Sequence, residues 1–207
     1  MIDVPLTSCA RAVPDRRTVL ATYDDDAVIV WQAHSDAVAD AALRDGGFGG
    51  RSWRTDRTTR FRLSLPSLLA RNGWATRPGR ERILAVRLCR VGFDAVLRQA
   101  VHAAMEPGVY PCRNAWHLAT RYGQVTLAWH PDVDPTGAEL DHETLRVGVR
   151  DGVLARFARD WVVGVEDWTP WVVANRTQVS ASLPVPAVAP YPLVTSERDR
   201  LAGRGRG

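Results

Sequence analysis

Short apolar runs, each either continuous or alternating with polar residues, divide the chain into a series of predicted strands. Runs of this kind are typical of β-structure when turn-forming residues bound them. The predicted strands cover residues 28–33, 57–64, 82–90, 125–129 and 145–149. A further predicted strand, at 161–169, runs out into acidic residues, and the segment PDVDPTG between the fourth and fifth strands predicts a turn.

Two helices are indicated by capping residues as well as by apolar spacing. Ser35 is a good N-cap for a helix with Val38 and Ala42 on one face, and the glycine-rich segment at 45–50 ends it. The segment LPSLLAR, directly after the second strand, begins a short helix with Pro66 in its first turn. We interpret the glycines as a flexible turn, because they neither follow a strand nor open a helix.

Apolar residues also repeat at helical spacing from Phe93 to Ala104 and from Val153 to Trp161. Because strands and helices are mixed irregularly, without steady βαβ alternation, the pattern predicts the α+β class. We expect a single compact domain with a mixed or antiparallel sheet, split into two packed halves, and with flanking helices. Its predicted bounds are 18–181, preceded by a loose N-terminal arm at 1–17. A proline-rich tail at 182–207 is expected to wrap the surface and to end in a disordered glycine and arginine run.

The composition is that of a soluble globular protein, with 207 residues of which 45% are hydrophobic and 24% charged. No apolar run reaches the roughly 18 to 20 residues that cross a bilayer. The first residues also lack the apolar core of a signal peptide, so we expect a cytoplasmic protein with no membrane partner. The cysteines, Cys9, Cys89 and Cys112, are odd in number and widely spaced, which favours reduced, structural thiols over disulfides or a zinc site.

All 27 residues in the lysine and arginine class are arginines, and the charges are unevenly distributed along the chain. The absence of lysine excludes Schiff-base lysine enzymes and the phosphate-binding lysine of a P-loop. Between 51 and 90 there are eleven arginines and two acids, a net charge of +9, whereas nine acids and four arginines occupy 131–170. The two segments are either solvated faces that attract each other or include a basic lobe that receives a polyanion. That polyanion would be a dinucleotide diphosphate or a nucleic-acid backbone.

Familiar catalytic and phosphate-binding motifs are absent from the sequence, which contains no GxSxG, HExxH, CxxC, GxxxxGKS/T or GxGxxG. Imidazole and carboxylate side chains between 130 and 142 can be drawn as a metal cluster, but they also fit a hydrophilic turn, and we expect no metal. These side chains are His130, Asp132, Asp134, Asp141 and His142. Within the arginine-rich segment, Trp53 and Trp74 are candidate platforms for stacking a nucleobase.

Four segments resemble, in order, the conserved blocks of a bacterial and fungal family catalogued as domain of unknown function 4291. The segments are TYDDDAVIVWQAHSDAVADAAL, NGWATRPGRERILAVRLCRVGFDAVL, LRVGVRDGVLARFARDWVVGVEDWTP and LPVPAVAPYPL, and the resemblance covers about residues 17 to 193. Where the family has a run of tryptophan, lysine, proline and serine followed by aromatic residues, this chain has RFRLSLPSLLARNGW at 60–74. Ser64 and the NGW end are kept, Arg62 replaces the usual lysine, and much aromatic surface is lost. The family brings no function with it.

The order of strands and helices also resembles, more distantly, that of ADP-ribosyltransferases. In that superfamily the first strand supplies a group that holds the nicotinamide-side ribose, the second a hydroxyl that supports the nicotinamide pocket, and the last a glutamate that orients the ribose 2′-hydroxyl. Mapped by order, the resemblance implies Gln32, Ser64 and Glu166 in these roles. Gln32 stands where a histidine or arginine is usual, and His34, two residues further along the same strand face, is expected to share its role.

Two functions are therefore expected. The first is an NAD-dependent ADP-ribosyltransferase-like enzyme, a glycosyltransferase with NAD as co-substrate and a nucleic acid or small molecule as acceptor. Its catalytic residues would be Glu166, Gln32 and Ser64, and its cofactor-binding residues His34, Arg60, Arg62 and Trp74. The alternative is a non-catalytic module that binds RNA, tRNA or DNA through the segment 51–90. Purely structural roles also remain open, since Gln32 could satisfy a buried backbone group and Glu166 could cap a helix near Pro170.

Overall fold

The central strand of the sheet is buried along its whole length, as its continuous apolar run predicts. In the computed structural model, which describes residues 6–7 and 15–204, all eight residues of Ala27–His34 are buried. The strands of the described residues are β1 (Leu6–Thr7), β2 (Leu20–Tyr23), β3 (Ala27–His34), β4 (Thr59–Arg62), β5 (Arg82–Cys89), β6 (Ala100–His102), β7 (Val125–Val133), β8 (Glu139–Val149), β9 (Val162–Asp167), β10 (Val185–Pro186) and β11 (Ala189–Pro190). The helices are α1 (Asp36–Asp45), α2 (Leu65–Arg71), α3 (Arg90–Gln99), α4 (Arg113–Tyr122), α5 (Asp151–Arg156), α6 (Thr169–Asn175) and α7 (Thr195–Leu201), and a π-helical turn, Phe157–Trp161, follows α5.

Nine of these strands are hydrogen-bonded into one continuous sheet, and β3 joins its parts. One edge of β3 pairs with β5, which pairs in turn with β9. The other edge is shared, because β2 pairs with the first half of β3 and β4 with the second. Beyond them lie β11 on one side and β8, β7 and β6 on the other. Among the described strands only β6 and β7 pair in parallel, so the mixed sheet and the α+β class are confirmed, and the two predicted halves are joined through β3.

Different helices cover the two faces of the sheet. Successive side chains of a strand point to opposite faces. Val28 and Val30 of β3 point to one face, which we call the main face, and pack in a large core with residues of α1, α3 and the π-helical turn. Ile29, Trp31 and Ala33 point to the other, the second face, where α2 and α6 cover them. The side of the sheet on which a polar side chain lies is therefore set by its register with β3.

Several short elements differ from the sequence prediction: β2 was not predicted, α6 was considered only as a helix near Pro170, and two further differences concern the region between β5 and β7. The helix predicted from Phe93 to Ala104 ends at Gln99, and the chain turns into the edge strand β6, where Ala100 has φ −68° and ψ 131°. Three strand residues are too few to change the apolar pattern visibly, so the helical spacing continues through β6 in the sequence. The second difference is α4, which was not predicted although Ala115, Leu118, Ala119 and Tyr122 repeat at helical spacing; the repeat covers only ten residues, none of them is buried, and no side chain caps the start of the helix.

The proline-rich tail lies against the sheet and continues into a helix that the sequence did not predict. Its strand β11 pairs with β2, and Thr22 Oγ1 donates a hydrogen bond of 2.6 Å to Ala187 O. In α7, Leu201 is fully buried. The Leu201 carbonyl accepts hydrogen bonds from Trp129 Nε1 at 2.7 Å and from His102 Nε2 at 3.0 Å.

Some predictions fall outside the described residues. These residues are 1–5 and 8–14 of the predicted arm, including Cys9, and 205–207 at the end of the predicted disordered run. Cys89 is half-buried and Cys112 is exposed, and both are free thiols. Within the part of the chain that is described, no helix combines the length and the apolar character needed to cross a membrane.

Candidate functional site

The three predicted catalytic residues do not surround one cavity. Trp31 of β3 is the Cα partner of Ala85 in β5, and Ala85 is the partner of Glu166 in β9. Directly opposed residues share a face, so Glu166 lies on the second face with Trp31, while the neighbouring Gln32 points to the main face. Ser64 lies beyond the end of β4 and caps α2. The expected convergence of Gln32 with Glu166 is thus corrected by the strand register.

Gln32 and His34 form a buried polar pair on the main face. Gln32 is 1% exposed, and its Nε2 donates to Arg60 O at 3.4 Å, the backbone role considered as an alternative from the sequence. The His34 Nε2 atom donates to Gln32 Oε1 at 3.0 Å, since an amide oxygen only accepts. Burial, helped by the charges of Arg57 and Arg80, lowers the pKa of His34 to about 4. His34 is therefore neutral at pH 7 and does not act there as a cation for a phosphate.

Glu166 is half-buried at the outer strand of the second face. Its Oε2 atom accepts a hydrogen bond of 3.4 Å from Trp168 Nε1. The neighbouring Asp167 caps the start of α6 instead, because its Oδ1 accepts a hydrogen bond from the Thr169 backbone N–H at 2.9 Å. The capping role considered for Glu166 thus belongs to Asp167.

The two tryptophans of the arginine-rich segment are packed against the cores. Trp53 is only 8% exposed and stacks on Phe48 with ring centroids 4.4 Å apart, so its prediction as an open platform for a base is wrong. Trp74 is half-buried against the second-face core. It stands in a tight turn in which Gly73, Trp74 and Ala75 have left-handed φ angles of 56°, 54° and 67°, a conformation that is uncommon outside glycine.

Five arginines gather on the second face without carboxylate partners. Arg62 and Arg146 are Cα partners on β4 and β8, and Arg60 lies two residues before Arg62 on the same face. Arg71 ends α2, which covers the second face, and Arg80 lies in the loop before β5, where burial and then the charges of nearby arginines, Arg60 and Arg71 among them, lower its pKa. We call Arg60, Arg62, Arg71, Arg80 and Arg146 the arginine cluster. Among the described residues, no carboxylate oxygen forms an ion pair within 4 Å of any of the five.

Burial, together with repulsion from neighbouring arginines, lowers the pKa of three members of the cluster, Arg62, Arg80 and Arg146. Burial, with the charges of Arg146 and Arg71, lowers the pKa of Arg62 to about 10, although Asp132 acts in the opposite direction. Burial and then the charges of Arg60 and Arg71 lower the pKa of Arg146. Guanidinium groups still remain protonated at pH 7, so the cluster carries an uncompensated positive charge.

His130, on β7, adds an unsatisfied nitrogen beside the cluster. Its Nε2 atom is buried and has no hydrogen-bond partner among the described residues. Burial, followed by the charges of Arg146, Arg62 and Arg71, lowers the pKa of this imidazole. Leaving a buried polar nitrogen unpaired costs about 1–3 kcal/mol, so an incoming oxygen atom would be favoured at this point.

A cavity of 570 Å³ lies next to the arginine cluster on the second face. Its polar residues are Ser64, Asp132, His142 and Thr144, together with Asp134 and Thr7 at its edge. Ser64 Oγ donates to Asp132 Oδ1 at 2.6 Å, and the backbone N–H of Val133 donates to the same oxygen at 2.9 Å. His142 Nε2 lies 3.3 Å from Asp132 Oδ2. The carboxylate of Asp132 therefore orients a hydroxyl and an imidazole along one wall.

The remaining walls of the cavity are apolar. Trp31, Leu65 and Leu140 line it, and residues between 181 and 190 of the proline-rich tail form a further wall. The pairing of β11 with β2 fixes this part of the tail. A mostly apolar cavity with a few polar groups on one side is the usual form of a site for a small organic molecule.

A smaller depression of 210 Å³ borders Arg60, away from the cavity. It is lined by Thr58, Gln124, Thr126 and Arg150, among other residues. The Arg150 guanidinium donates to the carbonyls at the end of α4, including Arg121 O at 2.7 Å. Hydrogen-bonding groups thus continue along the second face from the cavity, through the arginine cluster, to this depression.

The side chains considered as metal ligands have other roles. Within 6–7 and 15–204, no three histidine, cysteine, aspartate or glutamate side chains lie close enough together to hold a metal ion. Asp132 and His142 belong to the cavity wall. Asp134 Oδ1 instead accepts from the backbone N–H groups of Thr136 and Ala138 at 2.8 and 3.0 Å, which closes the turn between β7 and β8.

Fold and site together define an α+β domain with a positively charged face on a single mixed sheet. The chain belongs to the family described as Domain of unknown function (DUF4291), whose sequence profile matches residues 18–193. The resemblance inferred from the four sequence blocks is thereby confirmed. No protein with a curated function matches the chain.

Sequence reasoning included Arg71 and Arg80 only as part of the segment 51–90, missed Arg146 and Thr144, and gave other residues of this site a different role. Arg146 lies within the acidic segment 131–170, and only the register of β8 with β4 places it beside Arg62. His130 and Asp132 were considered only as metal ligands. The alternation of polar Thr144 and Arg146 with buried apolar neighbours could have shown that these two side chains share one face of β8, but not which strand lies beside them.

Proposed function

We propose that this protein binds a nucleic-acid strand, with its phosphates on the arginine cluster. The single observation that carries the proposal is the group of five arginines at one face of the sheet that form no ion pair with any carboxylate in the described part of the chain. RNA, including tRNA, is the form that we would test first. Arginine suits this task because its planar guanidinium group binds phosphate oxygens through two hydrogen bonds at once.

The arrangement is costly for the free protein, which supports a role in binding. Like charges directly opposite each other on neighbouring strands destabilise a sheet, by roughly 0.2–1 kcal/mol. Arg62 and Arg146 are in that position, and Arg62 is only 8% exposed. A bound phosphate would offset the repulsion and also offer an acceptor to His130 Nε2. The depression beside Arg60 would extend the contact to the next part of the strand.

Fluorescence anisotropy with a labelled single-stranded RNA, at a series of salt concentrations, tests the proposal. Each phosphate neutralised on a single strand contributes about −0.7 to the slope of log K against log salt concentration. With three to five contacts we expect a slope between about −2 and −3.5. The variant Arg146→Gln should weaken binding and make the slope less steep by about 0.7.

The matched control is Arg98→Gln, which removes an exposed arginine from α3, a helix on the other side of the sheet. This control should leave RNA binding nearly unchanged. Arg146→Gln should also raise the free energy of unfolding, by up to about 1 kcal/mol, because it relieves the repulsion from Arg62. An equal loss of binding in both variants would mean that only net charge matters, and would overturn the assignment of the site.

A dinucleotide is the second candidate ligand, in line with an NAD-dependent enzyme of the ADP-ribosyltransferase-like type. It is supported by the position of Ser64 and Glu166, which both lie on the side of the second face. The support is weaker because three strand spacings, about 14 Å, and the buried Trp31 separate Glu166 from Arg62. In this version Gln32 has no catalytic role.

Nicotinamide release from NAD, measured with RNA as acceptor, tests the second candidate. A ligand at one hundred times its dissociation constant adds about 2.7 kcal/mol of apparent stability, so a thermal-shift titration with NAD gives a parallel readout. Release that is lost in Glu166→Gln, with folding intact, would favour the enzyme. If NAD causes no thermal shift and no nicotinamide is released, the enzyme is ruled out and the RNA proposal stands.

A further inference from the structure

The 570 Å³ cavity beside the arginine cluster has the size and the wall chemistry of a site for one nucleoside. Small-molecule sites in proteins have volumes of roughly 300–1,000 Å³, are mostly apolar, and carry a few polar groups that orient the ligand. Leu140, Leu183 and Val188, which line the cavity and are only half-buried, offer apolar surfaces for a heterocycle. The polar groups are concentrated on the wall that contains Asp132.

The carboxylate of Asp132 has spare capacity to accept a hydrogen bond. Its Oδ1 atom already accepts from Ser64 Oγ and from the Val133 backbone N–H. Within 6–7 and 15–204, its Oδ2 atom has only His142 Nε2 as a partner, at 3.3 Å. A carboxylate oxygen has two lone pairs, so Oδ2 can accept from one more donor. A sugar hydroxyl is a suitable donor, because carboxylates commonly hold ribose hydroxyls in nucleotide sites.

The polar wall of the cavity lies next to the arginine cluster along the same strands. Thr144, which lines the cavity, is the Cα partner of His130, and Arg146 lies two residues along the same strand. Ser64 likewise follows Arg62 by two residues. Two residues of a strand span about 7 Å, comparable to the size of one sugar with its phosphate.

We infer that the cavity receives a nucleoside whose sugar hydroxyls bind Asp132 while its phosphate lies on the arginine cluster at Arg62, Arg146 and His130. The inference rests on the proposed binding of phosphates by that cluster. A nucleoside phosphate has two sources, a free nucleotide and the end of a nucleic-acid strand, and the chemistry at the site is the same for both.

The main test compares one RNA sequence in three forms by anisotropy: linear with a free 3′-terminal ribose, linear with a terminal 2′,3′-dideoxyribose, and circular. If a strand end enters the cavity, the linear ribose form should bind about ten-fold or more tightly than the other two, because the lost hydrogen bonds include one to a charged group. AMP, UMP, CMP and GMP are tested as competitors. If a free nucleotide is the occupant, at least one of them should compete, and the three RNA forms should bind alike.

Variants of the cavity separate this inference from the proposed function. Leu140→Trp places a bulky ring in the cavity, and Val91→Trp adds the same ring at an exposed position of α3. We expect Leu140→Trp to remove the preference for a terminal ribose, or the competition by nucleotides, and Val91→Trp to keep it. Asp132→Asn should weaken the ribose form more than the dideoxy form, a difference that a merely structural role would not produce.

The outcomes are distinguishable. RNA binding that depends on Arg146 and on salt, but shows neither terminal preference nor nucleotide competition, would overturn the nucleoside site and leave the proposed function intact. Absence of RNA and nucleotide binding altogether would overturn both. If Leu140→Trp does not fold, the comparison of the three RNA forms with the wild-type protein still decides the matter.

Discussion

The buried pair of His34 and Gln32 should make the stability of this protein depend on pH. Burial lowers the pKa of His34 from the ordinary value of 6.5 to about 4. The unfolded chain therefore binds a proton more readily than the folded chain between these two values. The free energy of unfolding should fall as the pH decreases below 6.5, and this contribution should stop changing below pH 4, where the folded form is also protonated.

The size of the effect follows from the same two pKa values. Each pH unit between them changes the free energy of unfolding by about 1.4 kcal/mol, so pH 5 should cost about 2 kcal/mol relative to pH 7. Urea denaturation, followed by tryptophan fluorescence at the two pH values, measures it. We expect the loss in His34→Gln to be smaller than in the wild type by about this amount, whereas His117→Gln, at an exposed position of α4, should behave as the wild type.

Comparison between variants is needed because other histidines contribute in the same direction. Burial also lowers the pKa of His102 and of His130, and their contributions cancel in the difference between the wild type and His34→Gln. A direct NMR titration of the His34 ring gives a second measurement, which remains available if the variant does not fold. A midpoint near 6.5, together with equal losses in both proteins, would refute the reasoning.

Two further predictions concern packing. Gly92→Ala should lower the free energy of unfolding by about 1–3 kcal/mol, because its Cβ would lie 2.4 Å from Trp161 Cγ. Gly47→Ala is the control, since the nearest atom there is 3.9 Å away, and equal stability of the two variants in urea denaturation would contradict the expectation. Leu201→Ala should cost about 2–5 kcal/mol in the same assay, because this side chain of α7 is fully buried. Val194→Ala, at a residue 64% exposed, should change stability by less than about 0.5 kcal/mol, and a similar loss in both would show that α7 is not anchored by Leu201.

Elements with a strong local signal could be predicted from the sequence. The strand β3 is marked by a continuous apolar run, and α2 by Ser64 at its N-cap and Pro66 in its first turn. The edge strand β6 has only three residues, too few for a pattern, and the apolar spacing of the exposed helix α4 covers only ten residues and is not reinforced by a capping side chain. Local pattern therefore identified the core elements and missed those at the edge of the fold.

The candidate site could be predicted only in part, because it depends on strand register. Arg60, Arg62 and Ser64 were selected from one segment and lie in the arginine cluster or in the cavity wall, while their predicted roles stay predictions. The face on which Glu166 lies depends instead on its alignment with Ala85 and Trp31, and a shift of one residue would move it to the other side. Arg146 joins the cluster through the same kind of long-range pairing. Such pairings leave no trace in a single sequence.

All the permanently cationic side chains of this protein are guanidinium groups. This limits the ways in which its charge can be regulated. Acetylation of side-chain amines, a common way to switch off contacts with nucleic acids, has no target in a sequence without lysine. Methylation of an arginine would block some of its hydrogen bonds but would keep its charge. Neutralising a cationic side chain by acetylation is therefore not open to this protein as a way of changing the charge of its arginine cluster.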